Sequence, residues 1–197
     1  NAGKSSALNT LADHKQLAFV SKTPGRTQLI NYFDIGSGHY LVDLPGYGYA
    51  KVPDAIRAPW GKDLGLYIRA RHSLKGLALI MDVRHPLSPL DLELMHWFAP
   101  TLKPVHILLT KADKLSRQET TRILAEVRKA VAGMPGPVSV QLFSSLKKTG
   151  IEEAEAVFAR WLGIVWPPVK DPVQPAAQGT RRKDRTAAHP GIKKPRA

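Results

Sequence analysis

Cysteine is absent from this sequence of 197 residues. That excludes a disulfide framework and a thiolate metal centre, and nothing in the chain asks for an oxidising compartment. Long apolar runs are missing as well. The longest, Gly76 to Met81, is far short of the roughly 20 residues that cross a bilayer as a helix. Asn1 to Thr10 lacks the apolar core of a signal peptide. Acidic residues are scarce beside basic ones, 16 against 29, which leaves a net charge of +13 and favours a polyanionic partner. What is present is ordinary: 43% of residues are hydrophobic and 23% charged, as in a globular domain. The length suits one such domain with a tail. A cytoplasmic protein with no membrane partner is expected.

The charge is not evenly spread. Lys170 to Ala197 carries eight Lys or Arg, two Asp, four Pro and no aromatic residue. Such a segment cannot bury enough apolar surface to offset its ordering entropy. The expected division is a folded domain over 1–166 and a basic, Pro-containing disordered tail over 167–197.

Within the body, apolar runs alternate with helical patterns. Gln28 to Ile35 and Tyr40 to Asp43 flank Gly36-Ser37-Gly38, a hairpin signal. Leu77–Val83, Val105–Thr110 and Val138–Phe143 read as strands buried on both faces. Between and after them, Leu90–Phe98, Glu119–Ala132 and Ile151–Leu162 read as helices. In the second, Ile123, Val127, Ala130 and Val131 recur at helical spacing. The alternation predicts an α/β fold, a mostly parallel sheet with helices on both faces.

Five short segments carry chemistry. Asn1-Ala2-Gly3-Lys4-Ser5-Ser6 is the second half of a phosphate-binding loop of form G-x-x-x-x-G-K-[ST] opening a helix. A helix start offers backbone N–H groups and a favourable dipole to an anion. Lys4 is placed to meet the β- and γ-phosphates, and the Ser5 hydroxyl to ligate Mg²⁺. The loop's first glycine, three positions before Asn1, and the strand before it do not appear. An N-terminally truncated chain, with a sheet lacking its first central strand, is therefore expected.

In the second segment, Thr27 of Thr23-Pro24-Gly25-Arg26-Thr27-Gln28-Leu29 can complete the Mg²⁺ shell when a γ-phosphate is bound. In the third, Asp43 of Asp43-Leu44-Pro45-Gly46 ends a strand, where an acid can hold Mg²⁺ through water and Gly46 can offer its N–H to a γ-phosphate. In the fourth, Asp113 of Thr110-Lys111-Ala112-Asp113 can accept from the N1–H and N2–H₂ edge of guanine. Adenine has no such donor pair, so a buried acid discriminates strongly. In the fifth, Leu142-Phe143-Ser144 leads into Ser145-Leu146-Lys147-Lys148, whose backbone N–H groups can meet guanine O6. Each segment alone has a plain structural explanation as a turn or a cap. Their occurrence in this order, each at a strand end or helix start, favours nucleotide binding.

These segments, with Met81-Asp82-Val83-Arg84-His85-Pro86, resemble the EngB (YihA/YsxC) GTPases from residue 1 to about 165. The resemblance implies a Ras-like GTP-binding domain that hydrolyses GTP to GDP with Mg²⁺. Its implied partner is the precursor of the large ribosomal subunit in a bacterial cytoplasm, with a role in cell division and septation. No DNA partner and a monomer are expected. Lys4, Thr27 and Gly46 are the implied catalytic positions, and Ser5 and Thr27 the implied metal ligands. Thr110 stands where most GTPases have Asn, a departure the family shares, which leaves guanine selection to Asp113. Tyr47 stands where many GTPases carry a water-orienting glutamine, so slow intrinsic hydrolysis is expected. Related GTPases use an asparagine at the position of Asn1 to bind K⁺, which makes K⁺ an expected activator.

Other readings stay open: an RNA-binding module with little GTPase activity, or a P-loop phosphotransferase. The segment from Tyr47 to His72, with Trp60 and Tyr67 among basic residues, is either an rRNA contact or a helix packed by its aromatics. His85 and His96 read as structural.

Overall fold

The computed structural model describes residues 2–11, 30–44 and 64–165. In chain order the elements are α1 (Lys4–Leu11), β1 (Asn31–Asp34), β2 (Tyr40–Asp43), helical residues 64–70 (α2), β3 (Leu77–Asp82), α3 (Pro89–Phe98), β4 (Val105–Thr110), α4 (Arg117–Val131), β5 (Val138–Leu142) and α5 (Ile151–Leu162). Short 3₁₀ turns follow α3 and β4, at Ala99–Thr101 and Ala112–Lys114.

The strands form two sheets. β1 and β2 are an antiparallel hairpin around Gly36 and Gly38, both at positive φ. β3, β4 and β5 are parallel and adjacent in that order. Parallel neighbours need a crossover, and α3 and α4 supply the two. Among the described residues no strand joins β2 to β3.

Helix ends are written locally. Ser88 and Asp91 form a reciprocal capping box at α3, and Ser116 and Glu119 form another at α4. Each satisfies two backbone donors that a helix start leaves over. The larger core lies on the α3/α4 side: Leu79, Met81, Ile107, Leu109 and Val140 of the sheet meet Met95 and Phe98 of α3 and Ile123, Val127 and Val131 of α4. The other side is smaller, with Leu108 and Phe143 packed against Ala7 of α1 and Ala154 of α5.

Two readings need correction. Only β4 is buried along its whole length; Ala78 of β3 and Ser139 of β5 are exposed. β3 and β5 border the three-stranded sheet, so their faces are incompletely covered. Ala130 is exposed, and Thr120 joins the buried stripe of α4 instead, because Ala130 sits at the margin of the helical face. His85 and His96 are both exposed. Among the described residues the buried histidine is His106 of β4.

At the border strand β5, the Arg128 guanidinium of α4 donates to the Val140 carbonyl from Nη2 at 2.9 Å and Nε at 3.3 Å. Gly76, just before β3, lies under Trp161 of α5; a Cβ there would be 2.6 Å from the indole. No helix among the described residues is long and apolar enough to cross a membrane.

Candidate nucleotide-binding site

Gly3 turns the chain into α1 with φ +91. A Cβ at this residue would meet only ordinary contacts, the nearest Thr110 Oγ1 at 3.7 Å, so backbone conformation and not crowding calls for glycine. The Gly3 carbonyl accepts from Ala7 N–H at 2.9 Å and closes the first turn of α1. The amides of Lys4, Ser5 and Ser6 stand at the helix start, where the dipole favours an anion.

The Lys4 ammonium is ion-paired with the Asp43 carboxylate at the end of β2. Asp43 is 5% exposed, and a carboxylate so buried is stable only with a partner. Residues 39 positions apart are thus brought together. Thr110, at the end of β4, reaches two backbones with one hydroxyl: the Ala2 carbonyl of the phosphate-loop segment, and the Met81 carbonyl of β3 at 3.0 Å. Where an asparagine is the usual residue, the threonine hydroxyl ties the phosphate-loop segment to the sheet.

The next residue, Lys111, has φ +58, and its ammonium sits 2.8 Å from an Asp82 carboxylate oxygen. Arg84 grips the same carboxylate with Nε at 2.9 Å and Nη2 at 2.7 Å, and its backbone N–H adds a bond at 3.0 Å. Partial burial works to raise the Asp82 pKa, but the bonds from Arg84 and Lys111 outweigh it and hold the acid well below the usual carboxylate range. Asp82 therefore orients Lys111 as a fixed anion.

Asp113 follows one turn on. Its carboxylate accepts from the Ser144 hydroxyl at 2.6 Å, with the Lys114 ammonium 3.7 Å away. The Ser144 bond chiefly lowers its pKa, against the opposing effect of burial, and Lys114 adds to the lowering. Ser144 is itself pinned: its backbone exchanges bonds with Thr149 at 3.0 and 3.1 Å, and its Oγ accepts from Lys147 N–H at 3.1 Å. The Ala112 N–H donates to the Phe143 carbonyl at 3.2 Å, which joins the two loops.

Sequence-chosen residues that meet here are Ala2, Gly3, Lys4, Asp43 and Thr110 on one side, and Lys111, Ala112, Asp113 and Ser144 on the other. Ser5 lies half-buried on α1. Leu44 and Leu142 pack against the larger core and Phe143 is fully buried in the smaller one, so these three sit in the framework with only backbone to offer. Asn1, Gly25, Arg26, Thr27, Gln28, Leu29, Pro45 and Gly46 lie outside the described residues, as do Trp60 and the tail. Of the segment before His72, Tyr67 is half-buried against the larger core, while Arg69 and Arg71 are exposed. The Arg71 guanidinium lies over Tyr32 at 5.6 Å and Tyr67 at 5.9 Å. Sequence reasoning gave Asp82 no role, although an acid ending a strand was the available signal; the structure sets it directly opposite Thr110 in the β3–β4 register.

A glycine-led helix start, a lysine–aspartate pair at a strand end, and a second lysine–aspartate turn closed by a serine loop define a P-loop nucleotide-binding domain of the GTPase class. The family model for 50S ribosome-binding GTPases matches residues 1–111. The probable GTP-binding protein EngB of Methylobacillus flagellatus is 62% identical over 162 residues, covering 82% of this chain and 78% of that protein. That of Aromatoleum aromaticum is 59% identical over 182 residues, covering 91% and 84%. Among solved structures, a probable GTP-binding protein EngB superposes with TM-score 0.65 at 16% identity, over 83% of this chain and 94% of that one. Era of Aquifex aeolicus, bound to GDP and aluminium fluoride, gives 0.64 at 21%, over 89% and 56%. The chain belongs to the EngB family of GTP-binding proteins. It is a GTPase, a hydrolase of GTP.

Proposed function

We propose that this protein is a GTP-driven switch in assembly of the large ribosomal subunit, acting as a monomer in the bacterial cytoplasm and needed for normal septation. The observation that carries the reading is the closure of two separate lysine–aspartate constellations onto one strand end, β4, in a chain of the EngB family. A match to 50S ribosome-binding GTPases supports the ribosomal partner. The fold is shared with Era, a protein solved in complex with 16S ribosomal RNA.

In this reading the α1 amides and Lys4 hold the phosphates, and Lys4 offsets charge that develops on the γ-phosphoryl oxygens. Asp113 accepts from the guanine N1–H and N2–H₂ edge, and its depressed pKa keeps it ionised for that task. The Lys111 stem, steered by Asp82, lies along the base. Mg²⁺ fits the donor chemistry at the phosphate end: the Ser5 hydroxyl and the Asp43 carboxylate are hard oxygen donors, and Asp43 is buried and ion-paired with Lys4. When bound, Mg²⁺ supplies neutralisation of phosphate charge. Thr27 is its second protein ligand and Gly46 the γ-phosphate sensor. Tyr47 makes intrinsic hydrolysis slow, and K⁺ held through Asn1 speeds it. Exposed Arg69, and exposed Arg71 over Tyr32, offer phosphate pairing and stacking to rRNA. The domain over 1–166 carries the switch, and the basic tail over 167–197 adds salt-sensitive RNA affinity.

The test is co-sedimentation of the full-length protein with large ribosomal subunits. Pelleting with a non-hydrolysable GTP analogue and release with GDP is the expected result. Equal pelleting in both states refutes the switch. Equal turnover in K⁺ and Na⁺ removes the role given to Asn1.

A further inference from the structure

Two polar side chains lie in the smaller core where apolar ones would pack at less cost. His106 of β4 and Gln141 of β5 are each 1% exposed. Buried polar groups are tolerated when every bond is made, and here each is. The Gln141 amide nitrogen is 2.6 Å from the Gly150 carbonyl and 3.3 Å from the Leu142 carbonyl. Two carbonyl oxygens can only accept, so the NH₂ must face them and Oε1 must face the other way. Oε1 lies 2.7 Å from His106 Nε2, which must therefore carry the proton. Nδ1 then accepts from the Ser139 hydroxyl at 2.7 Å, at the exposed end of the chain of bonds. Burial disfavours the charged imidazole and keeps this tautomer neutral. Phe158 and Trp161 of α5 meet the ring edge-to-face, at 5.8 and 6.3 Å.

The far end of this chain is Gly150, which closes the loop opened by Ser144. The loop is thus held twice: Ser144 is bonded to Asp113, and Gly150 to Gln141. Gly150 is also fitted against its anchor, since a Cβ there would stand 2.3 Å from the Leu142 carbonyl.

We propose that His106 and Gln141 are positioning residues for base recognition: His106 fixes which way the Gln141 amide faces, and Gln141 clamps Gly150 so that the 144–150 loop presents Ser144 to Asp113. The proposal rests on the reading of Asp113 and that loop as the guanine site. It assigns the two residues to nucleotide affinity and not to the hydrolytic step, because the chain of bonds ends at the base side and touches nothing at the Lys4–Asp43 end.

The test uses the full-length protein and three variants. His106→Leu removes the donor, His106→Gln restores one at the same bond count from the backbone, and Gln141→Met removes the clamp at similar volume. Expected for His106→Leu and Gln141→Met is about a tenfold rise in KM for GTP and in the dissociation rate of fluorescent GDP, the scale of one buried hydrogen bond. The value of kcat at saturating GTP stays within about twofold, and His106→Gln recovers most of the KM. Hydrogen exchange of the 144–150 amides without nucleotide should quicken in His106→Leu and return in His106→Gln, a readout that survives if Gln141→Met does not fold. The proposal is overturned if KM is unchanged while thermal stability falls, if kcat drops with KM, or if loop exchange is the same in all variants. Wild-type protein that binds GTP no better than ATP would instead overturn the guanine-site reading, and this proposal with it.

Discussion

Gly150→Ala asks how closely the loop after β5 is fitted to the strand. The new Cβ would stand 2.3 Å from the Leu142 carbonyl oxygen and 2.7 Å from the Gln141 amide nitrogen, at a residue with φ +76. Two costs add. A side chain in left-handed backbone costs about 1–2 kcal/mol. Crowding a filled site costs about 1–3 kcal/mol, and a backbone carbonyl has no rotamer to escape into. The expected loss is about 2–5 kcal/mol, out of the roughly 5–15 kcal/mol that holds a domain folded. Two other glycines separate these costs. At Gly163, φ is +69 and no described atom lies within 4 Å of a Cβ, so alanine there meets only the backbone cost of about 1–2 kcal/mol. At Gly133 neither condition applies, so alanine should fall within about 0.5 kcal/mol of wild type. Urea unfolding followed by circular dichroism ranks all three. A Gly150→Ala protein no less stable than Gly163→Ala would refute the steric argument.

Further outcomes follow from the same geometry. Asp113→Ala should weaken GTP binding at least about tenfold, since bonds to a charged acceptor are worth about 1.5–3 kcal/mol each. Titration with fluorescent GTP and ATP measures this, and an equal loss for both nucleotides would deny Asp113 its selectivity. Gly76→Ala pushes a methyl into the Trp161 indole, 2.6 Å away, and should cost about 1–3 kcal/mol in the same urea assay. The pH dependence has a definite sign. Asp82 and Asp113 both have depressed pKa values, so the unfolded chain binds more protons in acid. Their stabilisation is complete above the ordinary carboxylate pKa of about 3.9 and is lost as pH falls further. Unfolding measured from about pH 6 to 2 should show a shallower acid loss in Asp82→Asn, and an unchanged slope would deny that the Arg84–Lys111 grip matters.

Much of this was readable from the chain because local chemistry wrote it. Val105–Thr110 is a strand as read, and Ile151–Leu162 a helix, since a short, mostly apolar run and a 3.6-residue period leave little choice. The segments holding Lys4, Asp43, Asp113 and Ser144 were legible because each carries unusual residue types at a strand end or a helix start. The unread part lies in pairings made only by the sheet. His106 and Gln141 are 35 positions apart and meet through the register of β4 with β5. A single histidine in an apolar run gives no hint of its partner. Asp82 and Lys111 likewise meet because β3 and β4 end together. Ala130 was misplaced because a helical period gives spacing without the exact boundary of the buried stripe.

The Arg128 contact with the Val140 carbonyl has a consequence beyond packing. β5 is the outermost strand of the three-stranded sheet, and bare carbonyls along such a border invite a strand from another molecule. A guanidinium seated on that oxygen occupies an acceptor an incoming backbone would need, and sets a charge where the newcomer would lie. The guanidinium on that outward carbonyl thereby works against growth into strand-to-strand polymers at this border.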